Sequence, residues 1–196
     1  MLKLFTLLMF KINGWKVDGK LPPGIKKSII VAGPHTSNFD FIYAMGGLYT
    51  LGIPVNYLIK KEWLNNILLG HIFKGSGALS VDRSRCHSMV DTIAGIIRSS
   101  RDDLHIMISP EGTRKLVHQW KTGFYYSALK ANVPLVLFGL DYSKNIAVIG
   151  PTFMPTGCFR RDVQIIKEFY REVTPKYPKN FSLQVYLPDD QDIYTC

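Results

Sequence analysis

A chain of 196 residues is long enough for one domain, and a domain of that size buries roughly 70% of its unfolded-chain surface, so no disulfide framework is required. With 46% hydrophobic and 20% charged residues the composition is that of an ordinary globular protein, which excludes a disordered or low-complexity chain. The net charge of +9 favours polyanionic partners (nucleic acid, anionic lipid headgroups or phosphorylated substrates) without choosing among them. Cys86, Cys158 and Cys196 are odd in number, far apart and without metal-ligand spacing, which fits a reducing compartment and a structural or incidental role.

The first segment, Met1 to Ile12, is apolar but far shorter than the ~20 residues that span a bilayer. Lys11 and Lys16 interrupt it and no small-residue cleavage site follows, so it does not read as a secretory signal. It is predicted to be a short helix lying in the membrane interface, with Lys3, Lys11 and Lys16 near the headgroups. A buried core helix is the alternative. No other apolar run escapes interruption by Gly, Pro or charge. Residues 1–20 are therefore taken as an N-terminal interfacial segment and residues 21–196 as a single domain.

The apolar, β-branched run Ser28–Gly33 predicts a buried strand ending in a Gly-Pro turn. Ser37 or Asn38 then caps a helix reaching about Leu51, closed by Gly52 and Pro54. Val55–Lys60 reads as a strand, Glu62–Leu69 as a helix and Ala78–Val81 as a short strand. The apolar positions Met89, Val90, Ile93, Ile96 and Ile97 form a helical stripe over Ser88–Ser99. A buried strand at Leu104–Ile108 leads into the polar loop Ser109–Lys115, and a helix is predicted for Thr122–Ala131. Strands follow at Val133–Gly139 and Ile146–Ile149, then a helix over Val163–Val173 with Ile165, Ile166, Phe169 and Tyr170 inward, and a last strand at Ser182–Leu187. The alternation predicts an α/β domain with a mostly parallel central sheet covered by helices on both faces. Polar loops at strand carboxyl ends gather functional groups in that architecture. Pro34–Asp40 and Ser109–Lys115 are two such loops.

In the first loop His35 follows a buried strand and Asp40 lies five residues on. If the turn folds back, the carboxylate can hold one imidazole nitrogen while the other faces substrate. An imidazole titrates near pH 6.5 and so is largely a neutral base near pH 7. On spacing alone the ordinary reading of the pair is a capped helix start. Ser37 as a nucleophile lacks the Gly-x-Ser-x-Gly elbow. In the second loop Glu111, Gly112, Thr113 and Arg114 combine a permissive glycine, a hydroxyl and a planar guanidinium fork suited to phosphate oxygens. A third segment, Gly77 to Arg83, ends in the pair Asp82-Arg83, which by itself reads as a surface ion pair.

Four blocks thus succeed one another: His-x-x-x-x-Asp at His35–Asp40, Gly-x-Leu-x-Val-Asp-Arg at Gly77–Arg83, Pro-Glu-Gly-Thr-Arg at Pro110–Arg114 and Val-Pro-Leu-Val at Val133–Val136. Their order resembles the glycerophospholipid acyltransferase family, whose best-known bacterial members are 1-acylglycerol-3-phosphate acyltransferases. Trp120-Lys121-Thr122-Gly123 is similar to the Phe-Lys-x-Gly segment that usually precedes the last block. The resemblance implies acyl transfer from acyl-CoA or acyl-carrier protein to a hydroxyl of a lysophospholipid-like acceptor such as 1-acylglycerol-3-phosphate. It makes His35 the general base and Asp40 its orienting carboxylate, with Arg83, Glu111, Gly112, Thr113 and Arg114 shaping the acceptor site. The thioester is a co-substrate, and no metal or other cofactor is called for.

The sequence departs from the family pattern at Pro34, where Asn is usual, at Ser109, where Phe is usual, at Lys115 and at Leu137 or Phe138. The implied setting is peripheral, on the cytoplasmic face of a membrane, with no nucleic-acid partner, since the lysines and arginines are scattered without a recognised motif. The rival reading is a non-catalytic protein that binds anionic lipid.

Overall fold

The computed structural model describes residues 2–60, 75–81 and 86–184. In chain order it contains α1 (Leu2–Ile12), β1 (Lys16–Asp18), β2 (Lys27–Ala32), α2 (Phe39–Thr50), β3 (Val55–Lys60), β4 (Ala78–Val81), α3 (Cys86–Ser99), β5 (Leu104–Ile108), α4 (Gly123–Ala131), β6 (Leu135–Asp141), β7 (Ile146–Phe153) and α5 (Phe159–Arg171), then a short 3-10 turn at Pro178–Asn180. The strands form one seven-stranded sheet in the order β1-β7-β6-β2-β5-β3-β4. Strands β6, β2, β5, β3 and β4 run parallel to one another, whereas β7 and its parallel partner β1 run the opposite way, β7 pairing antiparallel with β6.

Burial on both faces explains why the central strands are mostly apolar, and the buried Ser28 and His105 satisfy each other through a 2.8 Å hydrogen bond. Ile29 and Val31 of β2 join the cluster formed by α3, α4 and α5, whereas Ile30 joins the one formed with α1 and α2. On β6, Leu135 and Leu137 face the first cluster and Val136, Phe138 and Leu140 the second. The predicted α/β sheet with helices on both faces is therefore present.

The α1–α2 contact depends on Gly46. A Cβ there would lie 2.6 Å from Phe10 Cβ and 2.7 Å from the Thr6 carbonyl oxygen, so only glycine lets the two helices approach this closely. One face of α1 is thus core, with Thr6 and Phe10 buried, while Leu4, Phe5, Leu8 and Ile12 are exposed. At 100° per residue these four fall within roughly 100° of arc, opposite the buried pair.

Several expectations need correction. β1 lacks an apolar run and escapes sequence reading; it is held by parallel pairing to β7. β7 runs four residues past Ile149, and α5 starts at Phe159, which is fully buried, rather than at Val163. Ile165 is exposed, because Phe159, Val163, Ile166 and Tyr170 form the inner stripe of that helix. Residues 182–184 are not strand. The predicted helix Glu62–Leu69 and the end of the predicted last strand lie outside the described residues. Cys158, at the N-cap of α5, is disulfide-bonded, which the odd and widely spaced cysteines did not announce.

Candidate active site

Strands β6, β2 and β5 are adjacent and parallel, with Ala32 opposite Phe138 and Val31 opposite Ile108. Their carboxyl ends therefore release three connections side by side: Gly33–Asn38 from β2, Ser109–Thr122 from β5 and the β6–β7 turn at Tyr142. Sheet order alone brings these distant segments together.

The first connection folds back around Asp40. The carboxylate Oδ2 of Asp40 accepts the backbone N–H of Thr36 and of Ser37, each at 2.7 Å, and lies 3.2 Å from His35 Nδ1. Its Oδ1 accepts the Tyr142 hydroxyl at 2.6 Å. Asp40 is buried, while the His35 side chain is 26% exposed. With Nδ1 engaged by the carboxylate, the imidazole has Nε2 left for chemistry. Asn38 occupies the N-cap of α2 but makes no side-chain cap bond; instead Ser37 Oγ accepts the N–H of Phe39 at 3.1 Å. The Asp40 side chain folds the loop that the sequence left to a helix cap.

The second connection braces the first. Glu111 is buried, and its Oε1 and Oε2 accept the His35 backbone N–H at 3.0 and 3.2 Å. Ser109 donates its hydroxyl to Oε2 at 2.7 Å. Tyr170, from α5, closes the floor by donating its hydroxyl to the Val31 carbonyl at 2.7 Å. Gly112 takes φ +65°, and a Cβ there would meet Lys121 Cε and Nζ at 3.0 Å, so glycine lets the lysine stem cross the loop. Lys121 N–H donates to the Pro110 carbonyl at 2.8 Å, tying the two segments together.

The family model described as Acyltransferase matches residues 16–140, which contain this whole constellation except Tyr142 and Tyr170. The chain belongs to the Acyltransferase family. A probable 1-acyl-sn-glycerol-3-phosphate acyltransferase of Mycoplasma pneumoniae is 31% identical over 141 residues, covering 68% of this chain and 52% of the relative. The chain thus spans about half the length of that curated relative. The crystal structure of the 1-acyl-sn-glycerophosphate (LPA) acyltransferase PlsC from Thermotoga maritima matches with a TM-score of 0.60 over 89% of this chain and 80% of that one. At 15% identity this is a likeness of fold.

Within this acyltransferase domain, His35 and Asp40 are in direct contact and Glu111 stands directly behind them. Thr113 is half-buried, and Gly112 and Arg114 are exposed on the same loop. Arg83 lies outside the described residues. The sequence reading missed three participants. Tyr142 and Ser109 carry no local signal, and Lys121 was visible only as part of a matched segment. A cavity of about 500 Å³ lies elsewhere, between α5 and strands β1 and β7, and none of these site residues lines it. Among the described residues no group of three His, Cys, Asp or Glu side chains could hold a metal ion.

Burial pushes the Glu111 carboxyl above its ordinary value of 4.5, and the bonds from His35 and Ser109 oppose the shift only in part. The folded chain therefore holds this proton more tightly than the unfolded chain. The resulting stability is full below the ordinary value and is lost as pH rises through the folded-state one. Glu111→Gln removes the titration while keeping an oxygen for the His35 N–H. The expected result is a flatter fall in melting temperature as pH rises from 4.5 than wild type gives; an identical pH dependence would assign the slope to other groups.

Proposed function

We propose that this acyltransferase moves a fatty acyl group from acyl-CoA or acyl-carrier protein to the hydroxyl of a lysophospholipid-like acceptor such as 1-acylglycerol-3-phosphate. The observation that carries the reading is the His35–Asp40 contact at the carboxyl end of a parallel strand, in a chain of this family. A neutral hydroxyl is a poor nucleophile, so a base within hydrogen-bond reach is required. His35 Nε2 takes the acceptor's hydroxyl proton as the oxygen attacks the thioester carbonyl. The C–S bond then breaks, the leaving thiolate takes the proton from the imidazolium, and the ester and free thiol depart. Asp40 holds the ring in one tautomer and stabilises its cationic form.

Arg114 and Arg83 are proposed as phosphate ligands of the acceptor, with Gly112 and Thr113 shaping the approach and Lys121 adding a cation beside Gly112. Glu111, whose oxygens are engaged with the His35 N–H, acts by fixing the loop. The test is release of thiol from acyl-CoA and from acyl-carrier protein against a panel of lysophospholipid acceptors. Absence of turnover with every pair would overturn the reading.

The acceptor is a lipid, and α1 supplies a route to it. Its exposed Leu4, Phe5, Leu8 and Ile12 lie beside Lys11, an apolar stripe bordered by a cation that suits an anionic bilayer surface. Among the described residues no helix is long and apolar enough to cross a membrane. Replacing Leu4 and Leu8 together by Asp is expected to abolish sedimentation with phosphatidylglycerol vesicles while leaving the melting temperature unchanged, because both side chains are exposed. Undiminished binding would remove α1 from the membrane contact. The same stripe is what favours the rival reading, a non-catalytic lipid binder, and turnover decides between the two.

A further inference from the structure

We infer that Lys176 forms a phosphate-binding subsite beside the loop that carries His35 and Asp40; the identity of its ligands rests on the proposed function. The segment Thr174–Tyr177 follows α5 and is tethered at both ends to the catalytic loops. The Thr174 carbonyl accepts the Tyr142 N–H at 2.9 Å, and Tyr177 N–H donates to Thr36 Oγ1 at 3.2 Å. Thr36 follows His35, and Tyr142 is the residue whose hydroxyl reaches Asp40.

Between the tethers the Lys176 ammonium sits 3.9 Å from the centroid of the Phe39 ring and 5.8 Å from those of Tyr142 and Tyr177. Phe39 directly precedes Asp40. The aromatic faces hold the cation in place without neutralising it. Lys176 is half-buried and forms none of the ion pairs found among the described residues. The carboxylate that follows Phe39 in the chain, Asp40, is buried and engaged with two backbone amides, the His35 ring and the Tyr142 hydroxyl.

A positioned, unneutralised ammonium beside a neutral aromatic wall is a place for an anion, and a lysine offers up to three donors to phosphate oxygens. The chemistry of the reaction supplies phosphate from two sources: the acceptor's phosphate ester, or the phosphates of the thioester donor. Lys121 and Arg114 belong to the β5 connection, whereas Lys176 comes from the segment tied to the β2 and β6 connections. The subsite therefore adds a cation on another side of His35.

The test uses the full chain as wild type, Lys176→Met and Lys176→Arg. Methionine keeps an unbranched stem over Phe39 and removes the charge. Calorimetric titrations with glycerol 3-phosphate and with coenzyme A separate the two sources. The expected result is that Lys176→Met weakens one of them by about tenfold, the effect of one charge-assisted contact, and that Lys176→Arg restores it. In turnover the same variant should raise KM for that substrate and leave kcat unchanged. Unaltered binding of both probes, or a fall in kcat with binding intact, overturns the subsite; the latter would mean that Lys176 acts through Asp40. Lysine-dependent phosphate binding by a chain that turns over no donor–acceptor pair would keep the subsite and overturn the enzyme reading instead.

Discussion

His35→Ala is expected to lower the rate of acyl transfer by about 10²–10⁴-fold, the usual contribution of a positioned general base. The effect should fall on kcat, because the alanine leaves the loop's backbone contacts in place. Glu111 binds the His35 main-chain N–H rather than its ring, and the amides of Thr36 and Ser37 remain on Asp40. The imidazole is 26% exposed and its one polar contact among the described residues is with Asp40. Its removal therefore opens no core cavity, and the melting temperature should stay near that of wild type. The measurement is thiol release from the preferred donor at saturating acceptor, with a melt recorded on the same preparation. Turnover at the wild-type rate in a folded His35→Ala protein would take the base assignment away.

The central sheet was legible because its strands are buried on both faces. β2, β5 and β6 are short and mostly apolar, interrupted by the buried Ser28 and His105, and their length with bounding turn residues favours strand over helix. Failures occur where backbone pairing or packing acts without a local signature. β1 has three residues, of which Lys16 and Asp18 are exposed, and only its partner β7 makes it a strand. The start of α5 was missed because Arg160 and Arg161 hide the buried Phe159 from a reading based on apolar runs. The misplacement of Ile165 followed from that error, since a stripe counted from Val163 ignores the turn that fixes the helix's inner face.

The site divides in the same way. His35 and Asp40 lie in one loop, and their spacing becomes informative once the neighbouring blocks are considered. Glu111 was legible as part of a block, but the role its geometry supports, bonding a backbone amide 76 positions away, has no sequence signal. Tyr142 is harder still, since its hydroxyl meets Asp40 across 102 positions and it belongs to none of the blocks. Contacts of that range are fixed by strand order, and the order β6-β2-β5 can be stated only once the sheet is assembled.

Asp40→Ala is expected to match the rate loss of His35→Ala and, unlike it, to lower stability. Four donors converge on this carboxylate: the N–H groups of Thr36 and Ser37, His35 Nδ1 and the Tyr142 hydroxyl. Thr36 and Ser37 are buried, so deleting the acceptor strands their amides away from water, at about 1–3 kcal/mol for each buried group left unpaired. The loop that carries His35 then loses what folds it back, and the ring loses the partner that fixes its tautomer. The rate should fall by about 10²–10⁴-fold. Because both residues serve one proton transfer, the double variant His35→Ala/Asp40→Ala should be no slower than the slower single variant. Its melting temperature should follow that of Asp40→Ala alone, since the loop's amides are orphaned in both. Rate losses that multiply in the double variant would mean that Asp40 acts on the reaction independently of His35, and the picture of one ring held by one carboxylate would have to be replaced.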